Sequence, residues 1–307
     1  KLRFDDRSIA TLKDHLGTIE DSLTRALAWS AVWDMTRDGE LAASDYVPMV
    51  LNALASETDV AVVATQMLQL GTAVELYAAD KNRDALRTIL ADGIEKLLDG
   101  AAAGSDMQLQ YVRSFAASAK SPAQVSKVRD ILDGKVAGVT VDANLRWTLL
   151  NSLVERGAAT VAEVEAELAN DKSADGEKAA AFGRAVGADA AVKAAAWELA
   201  TTKDISNHIQ IQTIQGFNRP GQRELTAPYA DKYFDLILDY WTSHTYEFAS
   251  NIALLAFPSY QVSDATMKKV EGWLSGAGKD APNGLRRIVS EQRDALARAL
   301  KAQAKDA

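Results

Sequence analysis

The chain has 307 residues, about two average domains' worth and enough to close a core without metal or disulfide staples. Its 34 Lys and Arg against 42 Asp and Glu leave a net charge of −8 at pH 7, the wrong balance for a surface that neutralises nucleic-acid phosphates. Hydrophobic residues at 48% and charged residues at 25% are ordinary for a globular chain, and the absence of Cys excludes disulfides, thiol nucleophiles and Cys-zinc sites.

Taken in order, the first clear element lies in residues 21–35, where Leu23, Ala26, Leu27, Trp29, Val32 and Trp33 recur at helical spacing. This pattern predicts a helix buried on more than one side, with Trp29 and Trp33 as core aromatics. Helix-start signals follow at Ser44, Thr58, Ser121, Thr160, Asp189 and Ser263, each with a side-chain oxygen able to cap backbone N–H groups. Two are complete capping boxes, Ser121-Pro122-Ala123-Gln124 and Thr160-Val161-Ala162-Glu163. Stop signals alternate with them at Gly39, Gly100, Gly104, Gly134, Gly157, Gly187 and Gly216.

Pairing starts with stops gives roughly 15 helices of about 10–20 residues. Strand signals are nearly absent, and the β-like residues 136–141, which include Gly138, are expected to form an extended loop before a helix starting near Asp142. Helices pairing every ~35–40 residues predict an all-α fold, an α-solenoid of HEAT- or armadillo-like helix pairs. A compact non-repetitive helical bundle is the alternative. The linker-like residues 99–106 and 170–177 are short enough to be inter-helix loops, so residues 1–307 are expected to form one helical-repeat domain. Starting at Lys1, the domain is expected to have been excised from a longer chain. The longest unbroken apolar run, residues 252–257, is far short of the ~20 residues of a membrane span, so no membrane partner is expected.

Motifs for chemistry are few. His15, His208 and His244 are never within one helical turn of each other, which excludes the His-Glu-x-x-His zinc pattern. Gly276-Ala277-Gly278-Lys279-Asp280-Ala281 has a dinucleotide-fingerprint spacing but follows a helical stripe where a strand is needed, so it reads as a helix-helix loop. Glu163, Glu165 and Glu167 read as a solvated helix face with no basic partner close in sequence. Gly216-Phe217-Asn218-Arg219-Pro220-Gly221-Gln222 is more particular: it breaks the helical pattern and is expected to fix a packing geometry or a binding edge.

Three stretches together carry a resemblance. Arg25-Ala26-Leu27-Ala28-Trp29-Ser30-Ala31-Val32-Trp33-Asp34-Met35-Thr36-Arg37-Asp38, then Leu145-Arg146-Trp147-Thr148-Leu149-Leu150, then the 216–222 stretch with Ala227-Pro228-Tyr229 resemble, in this order, the C-terminal helical domain of aminopeptidase N-type zinc metallopeptidases, most closely their actinobacterial branch. The resemblance implies a superhelix of HEAT-like pairs that closes over an active site and walls a substrate chamber. It also implies zinc, hydrolysis of N-terminal residues from peptides, and a catalytic domain elsewhere in the same parent chain. The family's His-Glu-x-x-His and Gly-x-Met-Glu-Asn motifs are missing from these 307 residues, so no catalytic residue carries over and no zinc is expected in this chain.

On that footing the chain is expected to be a non-catalytic, cytoplasmic domain, inactive alone, with its own parent's catalytic domain and a peptide substrate as partners. A free-standing helical scaffold that binds a protein partner on its concave face is the alternative. A chamber wall needs cations to hold a peptide's C-terminal carboxylate, and Arg146 and Arg219, with Gln222 beside the latter, are the candidate peptide-binding residues. Local ion pairs within the helical array are the competing reading for both arginines.

Overall fold

A computed structural model describes residues 2–307. Seventeen α-helices, with short 3-10 and π-helical turns, make up the regular structure, and no strand occurs among the described residues. The helices group into two compact units, one comprising the residues up to Val141 with Arg298–Ala307, the other Asp142–Ala297.

The first unit contains α1 (Asp6–His15), α2 (Ser22–Arg37), α3 (Ala43–Leu54), α4 (Val60–Thr72), α5 (Asp80–Gly100), α6 (Asp106–Ser118) and α7 (Pro122–Leu132). α3 is the hub and packs on α1, α2, α4 and α5, because Tyr46, Val47, Val50 and Leu54 lie on faces fully enclosed by them. Trp29 is enclosed, as its spacing predicts, whereas Trp33 is half-buried and packs against Tyr46 and Tyr77, both ring centroids at 5.7 Å. The helical stretch Val60–Tyr77 is long and apolar enough to cross a membrane, with mean hydropathy 1.2, although no unbroken apolar run marks it. Its polar residues are bound within the unit: buried Gln66 accepts from the Tyr46 hydroxyl at 3.3 Å, and Glu75 takes two bonds from Arg87 at 2.8 and 2.6 Å. The 136–141 stretch is a loop but begins as a turn and not as extended chain: the Val139 N–H donates to the Val136 carbonyl at 3.3 Å, Gly138 takes a φ of 78°, and Gln108 Nε2 donates to the Ala137 carbonyl at 3.1 Å.

The second unit contains α8 (Ala143–Glu155), α9 (Val161–Asn170), α10 (Ala174–Val186), α11 (Ala190–Thr202), α12 (Asn207–Phe217), α13 (Arg223–Thr226), α14 (Tyr229–Ser243), α15 (Tyr246–Leu255) and α16 (Asp264–Ser275), followed by α17 (Asn283–Asp306), whose residues from Arg298 belong to the first unit. α10 packs on α8, α9, α11 and α12, so that helices meet mainly their near neighbours in sequence, as stacked helix pairs do.

Four expected caps are in place: Ser121 and Thr160 complete their capping boxes, and Asp189 and Ser263 accept from their first-turn N–H groups. Two are displaced. Asp59, one residue after Thr58, caps α4. Ser44 lies inside α3, which follows Ala42 and has no local side-chain cap; α5 likewise follows uncapped Ala79. One carboxylate from the far end of the chain serves both: Asp306 accepts from Ser44 N at 2.7 Å and from Ala79 N at 2.9 Å.

Of the expected stops, Gly39, Gly134 and Gly157 follow helix ends at φ 67, 73 and 70°, the left-handed conformation that terminates a helix. Gly216 acts differently. It lies inside α12, where a Cβ would stand 2.6 Å from the Phe182 carbonyl oxygen and 2.8 Å from Ala185 Cβ, so its missing side chain lets α12 close on α10.

Candidate functional site

α8 carries one candidate arginine in its first turn and, nine positions on, the carboxylate that pairs with the other. At 1.5 Å per residue these points are about 13 Å apart along the axis. Arg146 donates from Nε and Nη2 to Glu167 of α9 at 3.0 and 2.9 Å, a parallel two-bond pair. Arg219, in the turn after α12, makes the same fork to Glu155 at 2.9 and 3.0 Å, and its guanidinium lies over the Phe182 ring of α10 at 5.4 Å. Gln222 is buried and donates from Nε2 to the Val186 carbonyl at 2.8 Å, while its Oε1 has no hydrogen-bond partner among the described residues. Arg219 and Gln222 therefore meet at the C-terminal half of α10, and Arg146 stands apart at the other end of α8.

Sequence reasoning missed three further members. Lys193, one turn into α11, is fully enclosed and donates from Nζ to the carbonyls of Ala185 and Gly216, both at 2.8 Å. Burial pushes its amine down to about 7; Glu155 acts in the opposite direction and Arg219 in the same one. Arg156 donates from Nη1 to the Ser152 carbonyl at 3.0 Å and hydroxyl at 2.9 Å, and lies 3.8 Å from Glu155, itself half-buried. Burial lowers the Arg156 pKa, Glu155 raises it and Arg219 lowers it further.

The cause of this gathering is the backbone. The C-terminal ends of α8, α10 and α12 present carbonyls that their own helices leave unbonded, each the negative end of a helix dipole. Arg156, Gln222 and Lys193 satisfy those carbonyls, and Glu155 answers two guanidiniums. The result is a half-buried site richer in positive than negative groups, next to the aromatic cluster of Trp197, Phe217 and Tyr229. In sequence, Lys193 gives the weak signal of a lone cation in an alanine-rich run, which an exposed lysine would give equally.

The three glutamates of α9 are also committed. Glu163 closes the capping box, Glu165 pairs with Arg184 of α10 at 2.6 and 2.8 Å, and Glu167 with Arg146. Their basic partners are remote in sequence, which corrects the reading of a merely solvated face. Gly276 and Gly278 stand in the turn after α16, with Gly278 under the Trp273 ring, where no side chain fits.

With this geometry in view, comparison with known proteins is decisive: residues 1–298 match the family described as ERAP1-like C-terminal domain. The chain belongs to that family. It is 42% identical over 310 residues to aminopeptidase N of Streptomyces lividans, covering all of this chain and 36% of that protein. The ERAP1-like domain thus spans about a third of the curated relative it matches.

Zinc, which the aminopeptidase N resemblance implies, was tested against the donors present. His15 lies on α1, His208 on α12, and His244 stacks on Tyr240 at 3.7 Å; among the described residues no three His, Cys, Asp or Glu converge as a metal site. The donors among the described residues do not fit the metal.

Proposed function

We propose that this chain is the non-catalytic C-terminal part of a cytosolic zinc aminopeptidase of the aminopeptidase N type, which releases N-terminal residues from peptides. Its helices wall the chamber that receives the peptide. The observation that carries this reading is the 42% identity to aminopeptidase N along the entire chain.

Within it, the Arg219 end of α10 is the peptide-facing candidate. Arg156 and Arg219 gather at Glu155 with Gln222 beside them, and a guanidinium's planar fork is the group that pairs with a peptide's C-terminal carboxylate. Arg146 pairs with Glu167 and so fastens α8 to α9.

The reading is tested by producing the full-length parent and the 307-residue chain side by side. The parent should carry one zinc by metal emission and cleave an aminoacyl-anilide; the 307-residue chain should do neither. A parent without aminopeptidase activity, or stoichiometric micromolar zinc on the short chain, would overturn it.

A further inference from the structure

Arg25, Arg87 and Arg184, like Arg146 and Arg219, each donate a two-bond fork to a single glutamate. Arg37 and Arg298 depart from that pattern. Both are half-buried, and among the described residues neither forms an ion pair or lies over an aromatic ring. Packing in the first unit brings them to one place. Arg37 stands one turn after Trp33 on α2, on the face whose Trp33 ring meets the Tyr77 ring at 5.7 Å. Gly39, two residues on, is so close to α17 that a Cβ there would lie 3.0 Å from the Lys301 carbonyl oxygen, and Gln303 of α17 donates from Nε2 to the Leu76 carbonyl at 2.9 Å. Arg298, one turn before Lys301 on the same helix face, is thereby set beside Tyr77.

The Tyr77 hydroxyl registers both cations: burial pushes its pKa up, the charges of Arg37 and Arg298 act against burial, and Arg37 also bonds it. With its oxygen accepting from Arg37, its O–H remains as a donor, and no acceptor among the described residues takes it. Asp38, whose charge the hydroxyl also senses, is bonded by Arg3, which holds Glu40 at 2.6 Å as well. Two guanidiniums and a phenol thus gather as donors without an acceptor, beside the half-buried ring of Trp33. Such a set suits an oxyanion, since a guanidinium's planar fork pairs with two oxygens at once. The neighbouring Asp38 charge disfavours a dianion such as phosphate, and the ring offers contact to an apolar body. We propose that Arg37, Arg298 and the Tyr77 hydroxyl form a binding site for a carboxylate carried on an apolar group, with Trp33 as its apolar wall. The site goes beyond the aminopeptidase reading and does not depend on Arg219.

Trp33 reports on the site directly. The test is fluorine NMR of the 307-residue chain carrying 5-fluorotryptophan, with the Trp33 signal assigned by Trp33→Phe and N-acetyl-leucine as the probe. In the unaltered chain the Trp33 signal should shift saturably, and N-acetyl-leucine amide, of the same shape without the charge, should leave it in place. Arg37→Gln and Arg298→Gln should each weaken the response about tenfold, the loss of one charge-assisted pair, while the other fluorotryptophan signals keep their positions and so show an intact fold. Arg219→Ala should leave the titration unchanged, which separates this site from the proposed peptide-binding end of α10. A Trp33 signal that does not saturate, an equal response to the amide, saturation by inorganic phosphate instead of N-acetyl-leucine, a response unchanged in both glutamine variants, or one lost in Arg219→Ala would overturn the site.

Discussion

Glu57 illustrates how single side chains hold this molecule. Its side chain is 2% exposed, and burial alone would raise its pKa; bonds from Arg25 and from the N–H groups of Asp59 and Thr58 outweigh burial and hold it at about 2. A carboxyl depressed from 4.5 to about 2 stabilises the fold fully above the higher value and loses that contribution as pH falls through the lower one, about 3 kcal/mol in all. Urea unfolding followed from pH 6 down to about 2 should show this loss, and Glu57→Gln should flatten it while lowering stability at pH 7. At the same scale, Trp29→Ala should cost about 3–5 kcal/mol and Trp33→Ala distinctly less, since only the first ring is fully enclosed; thermal unfolding of the two variants checks the order. Such environments are half legible in sequence. Helical spacing put Trp29 in the core, but the carboxylates that answer Arg25, Arg146 and Arg219 lie 21 to 64 positions away on other helices, and no local pattern announces them.

At the scale of elements, the local caps were readable because their chemistry closes within three residues: Ser121, Thr160, Asp189 and Ser263 each bond the helix that follows. α3 and α5 escaped, because their cap is Asp306, 262 and 227 positions from its two N–H donors Ser44 and Ala79. Asp306→Ala should therefore destabilise the first unit by about 3 kcal/mol and expose the first-turn amides of both helices to hydrogen exchange together. Loss confined to one helix would contradict the shared cap. Acid should do the same, since bonds from Ser44, Asn82 and Ala79 hold the Asp306 carboxyl below its ordinary range against the opposing effect of burial, and its contribution disappears on protonation. Gly216 was legible as a special residue but not as a contact, for only the approach of α10 explains it. Gly216→Ala should cost about 2 kcal/mol by pushing α12 off α10, read as a drop in the melting temperature; an unchanged melting temperature would mean that the two helices tolerate separation.

For the whole molecule, composition and cap spacing sufficed for the all-α class and nearly for the number of helices, because both depend on patterns repeated all along the chain. Family membership was legible in three ordered motifs for the same reason: two of them, around Trp29 and around Trp147, are largely buried packing faces that fix how helices meet. The candidate site was legible only in part. Arg219 and Gln222 were marked by a turn rich in Gly and Pro, whereas Lys193, Glu155 and Arg156 became visible only once three helix ends were brought together. The proposed function has this domain line the peptide chamber of an aminopeptidase through the Arg219 end of α10. Its most direct test is made in the full-length parent, comparing hydrolysis of a peptide with a free C-terminus against its amidated twin, before and after Arg219→Ala. The account predicts that the parent prefers the free acid by about tenfold, an ion pair's worth of about 1.4 kcal/mol, and that Arg219→Ala abolishes this preference while turnover of a single-residue anilide is unchanged. Equal hydrolysis of the two peptides by the parent, or an equal loss on every substrate in the variant, would contradict it.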